Sequence, residues 1–397
     1  MDQRANPREK ETKKFIEIGL DVTGTEWVRA CYLRDGIIEN VPEQLLSRRE
    51  WDQFLENPGD AGAPVQAFLR QILDASGADD VHGLLVTMEN LVEENIIAVM
   101  AAAGAIGYDR HRLRIISPGE SMLHYMIHQR KEIWSNAVVV FDHRDDRFVM
   151  RKMTISGLRL PKQLKVTERD LTGLLIRGQL ATEQGRRKAD EDFYALVQEE
   201  FRRTIVSGVI LVGEIFELAW MKKSLNFLCE RRRVFLGGNM YAEGSCYAAL
   251  RLFLKQDPGD YYFDCEGRTK LNIDLAIVHN KKNAVVSLSK AGTYWYKASA
   301  EVQILLGREK ELKFILTDPV RKNTQTLFLE LNDLPRRPEK TTRVNVRVIC
   351  YGDSAYEFTA SDMGFGDFFE PSGLTVRRKV ILTAEGITEG ETGRNTR

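Results

Sequence analysis

The sequence predicts a two-lobed α/β region followed by an all-β sandwich, and three observations carry that prediction. Up to Gln256 strands alternate with long helical patterns, whereas beyond it short alternating strands and turns take over. Each half of the first region opens on a strand pair, within 15–34 and within 137–155, and continues in strand–helix–strand units, the pattern of a duplicated lobe. Third, Ala137-Val-Val-Val-Phe-Asp142 reads as a buried strand ending on an aspartate. The turn after it, His143-Arg-Asp-Asp-Arg147, is charged where nucleotide-binding sheets place glycines, whose bare backbone lets several N–H groups approach a phosphate. The frame of a phosphate site is kept while its chemistry is replaced, which points to a nucleotidase-type fold used for something other than hydrolysis.

The elements follow from local pattern. Phe15 to Leu20 alternates as a strand, Asp21-Val-Thr-Gly-Thr25 is a tight turn, Glu26 to Arg34 is the hairpin partner, and Asp35-Gly36 turns again. Val65 to Ala75 reads as a helix and Gly83 to Thr87 as a strand. Asn90 is placed to cap a helix from Leu91 to Ala105 that stops near Gly107. A short strand, Leu113 to Ile116, precedes a Ser-Pro-Gly turn and a helix from Glu120 to about Gln129. After the Asp142 hairpin come a loop from Gly178 to Lys188, a helix from Asp190 to Thr204, and a strand from Val209 to Val212. A helix from Trp220 to Arg231, a strand from Arg233 to Leu236 and a helix from Ala242 to Phe253 complete the region. The expected layout is a loose tail over 1–14, lobe I over 15–135, and lobe II over 136–255 with a helix returning to lobe I. A sandwich over 268–382 and a polar tail over 383–397 follow.

Residues 15–36 and 83–255 resemble the ATPase domain shared by actin, sugar kinases and DnaK-type heat-shock chaperones, an actin-like (ribonuclease-H-like) fold, and the likeness to the chaperones is the greatest. The order is theirs: strand, alanine-rich helix, Gly104 and Gly107, Leu113-Arg-Ile-Ile116, helix, then Val138 to Asp142. Val209-Ile-Leu-Val-Gly213 resembles their adenosine-holding strand and turn, and Cys246-Tyr-Ala-Ala-Leu250 the helix after it. By that resemblance Asp21, Thr23, Gly24 and Thr25 occupy the first phosphate loop, with glycine displaced by one position from the family's pattern. Asp142 matches the aspartate that helps hold the water shell of magnesium, but the glycines after it are missing and Arg144 and Arg147 stand nearby. At the adenosine loop Gly213 is kept while the second glycine is Glu214, and the glutamate that positions water has no direct counterpart, Glu120 lying a little beyond that turn. Carboxylates in a partly dry cradle repel a triphosphate by on the order of several kcal/mol, and phosphoryl transfer depends on positioning and charge stabilisation. The interval between the hairpin and Val209 is also too short for the subdomain that closes over adenine in the chaperones.

In the second region, strands at Leu271–Val278, Ala284–Leu288, Glu301–Leu305, Glu311–Leu316, Thr326–Leu331, Arg343–Cys350 and Ala355–Ala360 favour an antiparallel sandwich. Phe328 to Pro335, Arg343 to Val348 and Tyr356 to Asp362 resemble the peptide-gripping β-sandwich of the same chaperones. Met363-Gly-Phe-Gly-Asp-Phe-Phe369-Glu-Pro371 interleaves glycines with phenylalanines, so it reads either as a docking loop or as rings tucked beneath one end of the sandwich, the plainer expectation.

Composition narrows the partners. The 397 residues carry 57 basic and 57 acidic side chains, so no global charge steers the chain to nucleic acid or anionic lipid. No apolar run reaches the ~20 residues needed to span a bilayer. Five cysteines without CxxC spacing read as reduced thiols of a cytoplasmic protein. Glu120, His124 and His128 have a spacing seen in metal sites, though ordinary packing explains it as well, and Arg231-Arg-Arg233 reads as a solvated helix end or a phosphate contact. The resulting expectation is a bacterial-type, degenerate chaperone-like pseudo-ATPase without cofactor or resident metal, acting as a scaffold for a protein or peptide partner. Two alternatives stand beside it: a divergent ATPase that binds Mg-ATP or ADP through Asp21, Asp142 and Glu120 with Arg144 or Arg147 replacing backbone donors, and an actin-like assembly protein.

Overall fold

Strand order repeats within the first region. A computed structural model describes residues 13–42, 44–144, 147–157, 160–256, 259–320, 322–383 and 386–389. It divides into one unit of residues 1–89, 97–154 and 166–259 and a second of 90–96, 155–165 and 260–397. The first half contains β1 (Phe15–Asp21), β2 (Arg29–Arg34), β3 (Ile37–Asn40), α1 (Arg48–Glu56), α2 (Gly62–Ser76), β4 (Asp80–Thr87), α3 (Glu93–Ala105), β5 (Leu113–Ile116) and α4 (Pro118–Ile127). Its sheet runs β3-β2-β1-β4-β5, with β1–β2 and β2–β3 antiparallel and β1–β4 and β4–β5 parallel.

The second half contains β6 (Ala137–Arg144), β7 (Arg147–Ser156), β8 (Lys162–Asp170), α5 (Glu183–Arg202), β9 (Val206–Val212), α6 (Lys222–Cys229), β10 (Arg233–Leu236) and α7 (Met240–Leu252). Its strands run β10-β9-β6-β7-β8. Read from β8, that order is third, second, first, fourth, fifth, the order of the first sheet. The β6–β7 pair is antiparallel and β6–β9 and β9–β10 are parallel, again matching.

Packing explains the burial. Phe141, Phe148, Phe193, Phe216 and Trp220 form an aromatic core between the second sheet, α5 and the turn before α6. Asp190, buried on α5, accepts from the N–H groups of Lys223 (2.7 Å) and Ser224 (2.8 Å) and so caps α6, which has no cap of its own. Helix α7 lies on β1, β2 and α4 because its sequence offers small residues there. A Cβ on Gly19 of β1 would come within 2.5 Å of the Ala242 carbonyl oxygen, and one on Gly244 would collide with the Ser121 carbonyl.

The second unit is β-rich. It holds β11 (Tyr261–Asp264), β12 (Asn272–His279), β13 (Lys282–Ser289), β14 (Ala300–Leu306), β15 (Glu311–Thr317), β16 (Thr324–Glu330), β17 (Thr342–Cys350), β18 (Ala355–Asp362), β19 (Thr375–Thr383) and β20 (Gly386–Glu389). Two sheets, β13-β12-β15-β16 and β14-β17-β18-β19-β20, are antiparallel throughout. Strict alternation in β15 and β17 sends Phe314, Val344, Val346 and Val348 inward, and Phe314 meets Phe358 of the other sheet edge-on at 4.7 Å.

Several elements differ from expectation. Helix α1 was unforeseen, although Ser47 and Glu50 form its capping box. Helix α5 starts at Glu183, inside the expected loop, because Thr182 accepts from the Gly185 N–H at 3.0 Å. Strands β3, β11 and β19 are additional. Strand β20 pairs with β19 inside the expected polar tail, while residues 390–397 and 1–12 of the expected tails lie outside the described residues. No described helix is long and apolar enough to cross a membrane.

Candidate functional site

Strands β1 and β6 occupy the same place in the two sheets; β1 ends on Asp21, and β6 carries Asp142 two residues before its end at Arg144. A depression of about 300 Å³ lies where they end, and its walls include Asp21, Gly24, Thr25, Arg144, Gly213 and Glu214. The remaining two expected site residues support these from within: Thr23 donates its N–H (3.0 Å) and hydroxyl (2.5 Å) to Asp21 Oδ1, and Asp142 lies beneath Arg144. The sequence-selected residues therefore converge on one place. Asp145 and Asp146 of the charged turn lie outside the described residues.

The centre of this place is a guanidinium. Arg144 donates from Nε to Asp142 Oδ1 at 2.7 Å and from Nη2 to Asp142 Oδ2 at 2.8 Å, a fork across two residues of one strand. Its Nη1 donates to Asp21 Oδ2 at 3.1 Å, so one side chain bridges the aspartates of both sheets. Behind it, Arg151 of β7 is entirely buried. It donates to Asp142 Oδ2 at 3.0 Å, Tyr241 Oη at 2.7 Å, Glu168 at 2.8 Å and Glu89 at 2.6 Å. The Tyr241 hydroxyl donates to Asp142 Oδ2 at 2.9 Å.

All four oxygens of the two aspartates thus accept from protein donors. A magnesium ion, or its water shell, would have to displace Arg144 from both carboxylates, so the arrangement does not fit that ion. The loop after β1 is tied down as well. The Thr23 N–H is spent on Asp21, and Arg48 of α1 donates to the carbonyls of Val22 and Gly24. Gly213 packs against the His143 carbonyl so closely that a Cβ would overlap it. Glu214 turns outward to Arg177 at 3.0 Å, both more than half exposed, a pair of small energetic value.

Electrostatics follow from burial. Desolvation pushes the Asp142 carboxyl up, but Arg144 and then Arg151, with the Tyr241 hydrogen bond, outweigh it and hold the group at about 2. Burial pushes the Tyr241 phenol up, and Asp142 beside it acts in the same direction. Because the folded value of Asp142 lies below the unfolded one, its stabilisation is present above about pH 4 and is lost as pH falls towards 2. We expect about 2 kcal/mol of folding stability to disappear across that window through this group, read by urea titrations at stepped pH. Asp142→Asn should flatten that part of the profile; an unchanged slope would show that other carboxyls carry it.

Glu120 does not reach this place. It is fully buried on α4, 3.6 Å from His124 Nε2, while His128 turns away to stack on Tyr247 at 4.4 Å. The three residues of the metal-like spacing do not converge, and no metal-ligating cluster occurs among the described residues. Arg147 faces Glu89 (2.9 Å) and Glu168 (3.3 Å) rather than the aspartates.

In the second unit a loop is clamped from within. The carboxylate of Asp362, fully buried, accepts from Arg337 (2.7 and 2.8 Å), Gly364 N–H (3.1 Å) and Ser372 N–H (2.8 Å). Burial pushes this carboxyl up, but Arg337 and the Ser372 contacts hold it at about 2. The loop between these points carries Phe365 and Phe369 half-buried, with Arg337 over the Phe369 ring at 5.3 Å. Phe368 is 82% exposed, contrary to the expectation that all three rings tuck under the sandwich.

Sequence reasoning missed Arg151, Tyr241, Glu89 and Glu168. The available signal was Arg151 in Phe148-Val-Met-Arg-Lys-Met153, on the same strand face as the apolar Val149 and Met153. Residues 268–382 match a description that reads "Domain of unknown function (DUF8552)". No curated protein matches the chain. Residues 38–266, more than half of the chain, match the description "Family of unknown function (DUF5716) C-terminal", and the chain belongs to that family.

Proposed function

We propose that the first unit is a degenerate relative of the actin- and DnaK-type ATPase fold that no longer turns over nucleotide, and that the protein serves as a scaffold binding a protein or peptide through its β-rich unit. One observation carries the reading: Arg144 spans Asp21 and Asp142, the positions where the resemblance puts phosphate and magnesium contacts. A fixed cation there pairs with both carboxylates and occupies the oxygens through which they would hold an ion. The repeated strand order and the helix α7 lying on β1 support the relation to that fold. Support for the scaffold role is the clamped loop of the second unit, which holds Phe368 outward on a backbone fixed at both ends, an anchor of the kind that interfaces use.

The test is a thermal melt with and without millimolar Mg-ATP and Mg-ADP. A ligand at a hundred times its dissociation constant stabilises by about 2.7 kcal/mol, several degrees for a domain of this size. No shift is expected. A magnesium-dependent shift that disappears in Asp142→Ala would overturn the reading and restore the ATPase alternative, while concentration-dependent light scattering would favour assembly.

A further inference from the structure

Strand β9 ends at the cleft and begins at the opposite end of its sheet, and that opposite end is charged. Two shallow depressions of about 470 and 710 Å³ adjoin there, sharing Ile205, Val206, Arg231 and Arg232. Their walls bring together Arg202, Arg203, Arg231, Arg232 and Arg233 against two glutamates, Glu132 and Glu230. The chain as a whole has zero formal charge, so this is a local accumulation.

Structural needs account for part of it. Arg202 and Arg203 pair with Glu199 at 2.9 and 3.6 Å. Arg232 donates to the Phe227 carbonyl at 2.8 Å and covers the rings of Phe201 and Phe227. The ends of α5 and α6 each present about half a negative charge, which those arginines already offset. Arg231 and Arg233 remain: both are exposed, and neither side chain has an ion pair or hydrogen bond among the described residues. Ile205, between the two depressions, is 77% exposed, an apolar side chain that folding does not use. Arg233 also opens β10, the outermost strand of its sheet, along which Phe235 and Leu236 are exposed.

We propose that this surface binds an extended acidic peptide segment of a protein partner. Its carboxylates pair with Arg231 and Arg233, an apolar side chain covers Ile205, and its backbone adds to the free edge of β10. Peptide is favoured over nucleic acid by the apolar centre and by the two nearby rings being covered by Arg232, which leaves no stacking platform. The site is separate from the cleft, and the proposal stands whether or not the cleft binds nucleotide.

The experiment uses the full chain and a fluorescent peptide of repeating Glu-Glu-Leu, followed by anisotropy at stepped salt. Saturable binding that weakens with salt is expected, together with a loss of about tenfold or more in Arg231→Glu/Arg233→Glu. Ile205→Ser should weaken the Glu-Glu-Leu peptide but leave a Glu-Glu-Ser peptide unaffected, which a purely electrostatic surface would not do. These positions are exposed, so melts of the variants should match the parent. No saturable binding, equal affinity in the double variant, or tighter binding to a single-stranded oligonucleotide or to phosphatidylserine vesicles overturns the proposal.

Discussion

Arg151→Ala is expected to lower folding stability by about 3–5 kcal/mol, the range for removing one member of a buried charge network. The side chain is fully buried and donates to Asp142, Glu89, Glu168 and Tyr241. Its loss leaves carboxylates with fewer donors in a dry interior and empties the volume of a guanidinium. Arg147 and Arg144 compensate in part, since they already touch Glu89, Glu168 and Asp142. Arg151→Lys keeps the charge but not the fork, so it should fall between the parent and the alanine variant. Urea denaturation measures all three. A loss below about 1 kcal/mol in Arg151→Ala would mean that the network is not buried in solution.

Gly213→Ala is the second large effect, about 3 kcal/mol or more, because two costs coincide. The backbone of Gly213 lies at φ +112° and ψ 148°, a region that is essentially reserved for glycine. In addition a Cβ there would overlap the His143 carbonyl. Relief requires the turn after β9 to move away from the end of β6, which would loosen the Arg144 fork. Urea titrations at stepped pH, which detect the lost stability, should therefore also show a weaker acid transition for Asp142. Gly238→Ala, which has open space and no special backbone angle, is the control and should change little.

Much of this was legible in the chain itself. Hairpins led by Phe15 and Ala137, and the change of rhythm after Gln256, were visible because alternation and turn residues act locally. Asp21 at the end of β1 and Asp142 near the end of β6 were visible for the same reason. Less accessible was the partner each charge would choose: Arg144 and Arg147 sit on one turn, yet one bridges the aspartates and the other faces Glu89 and Glu168. That choice depends on strand twist and on Tyr241, some 99 residues distant from Asp142. Helix α1 escaped because its nine residues are mostly polar, with only Trp51, Phe54 and Leu55 apolar, and β3 because it is a half-exposed edge strand without buried residues.

Finally, the cation that joins the two sheets is part of the chain. A magnesium ion is drawn from a shared pool and leaves with its nucleotide, so a contact built on it opens and closes on a chemical clock. Arg144 is attached two residues from one of its acceptors, so the contact re-forms without drawing on any diffusing ion. The joint it makes has no exhaustion and no recharge. It needs no metal ion to form, and its lifetime is set by the breathing of the protein around it. Within the pH range where Asp142 is ionised, the joint between these sheets is therefore a fixed part of the fold rather than a consumable one.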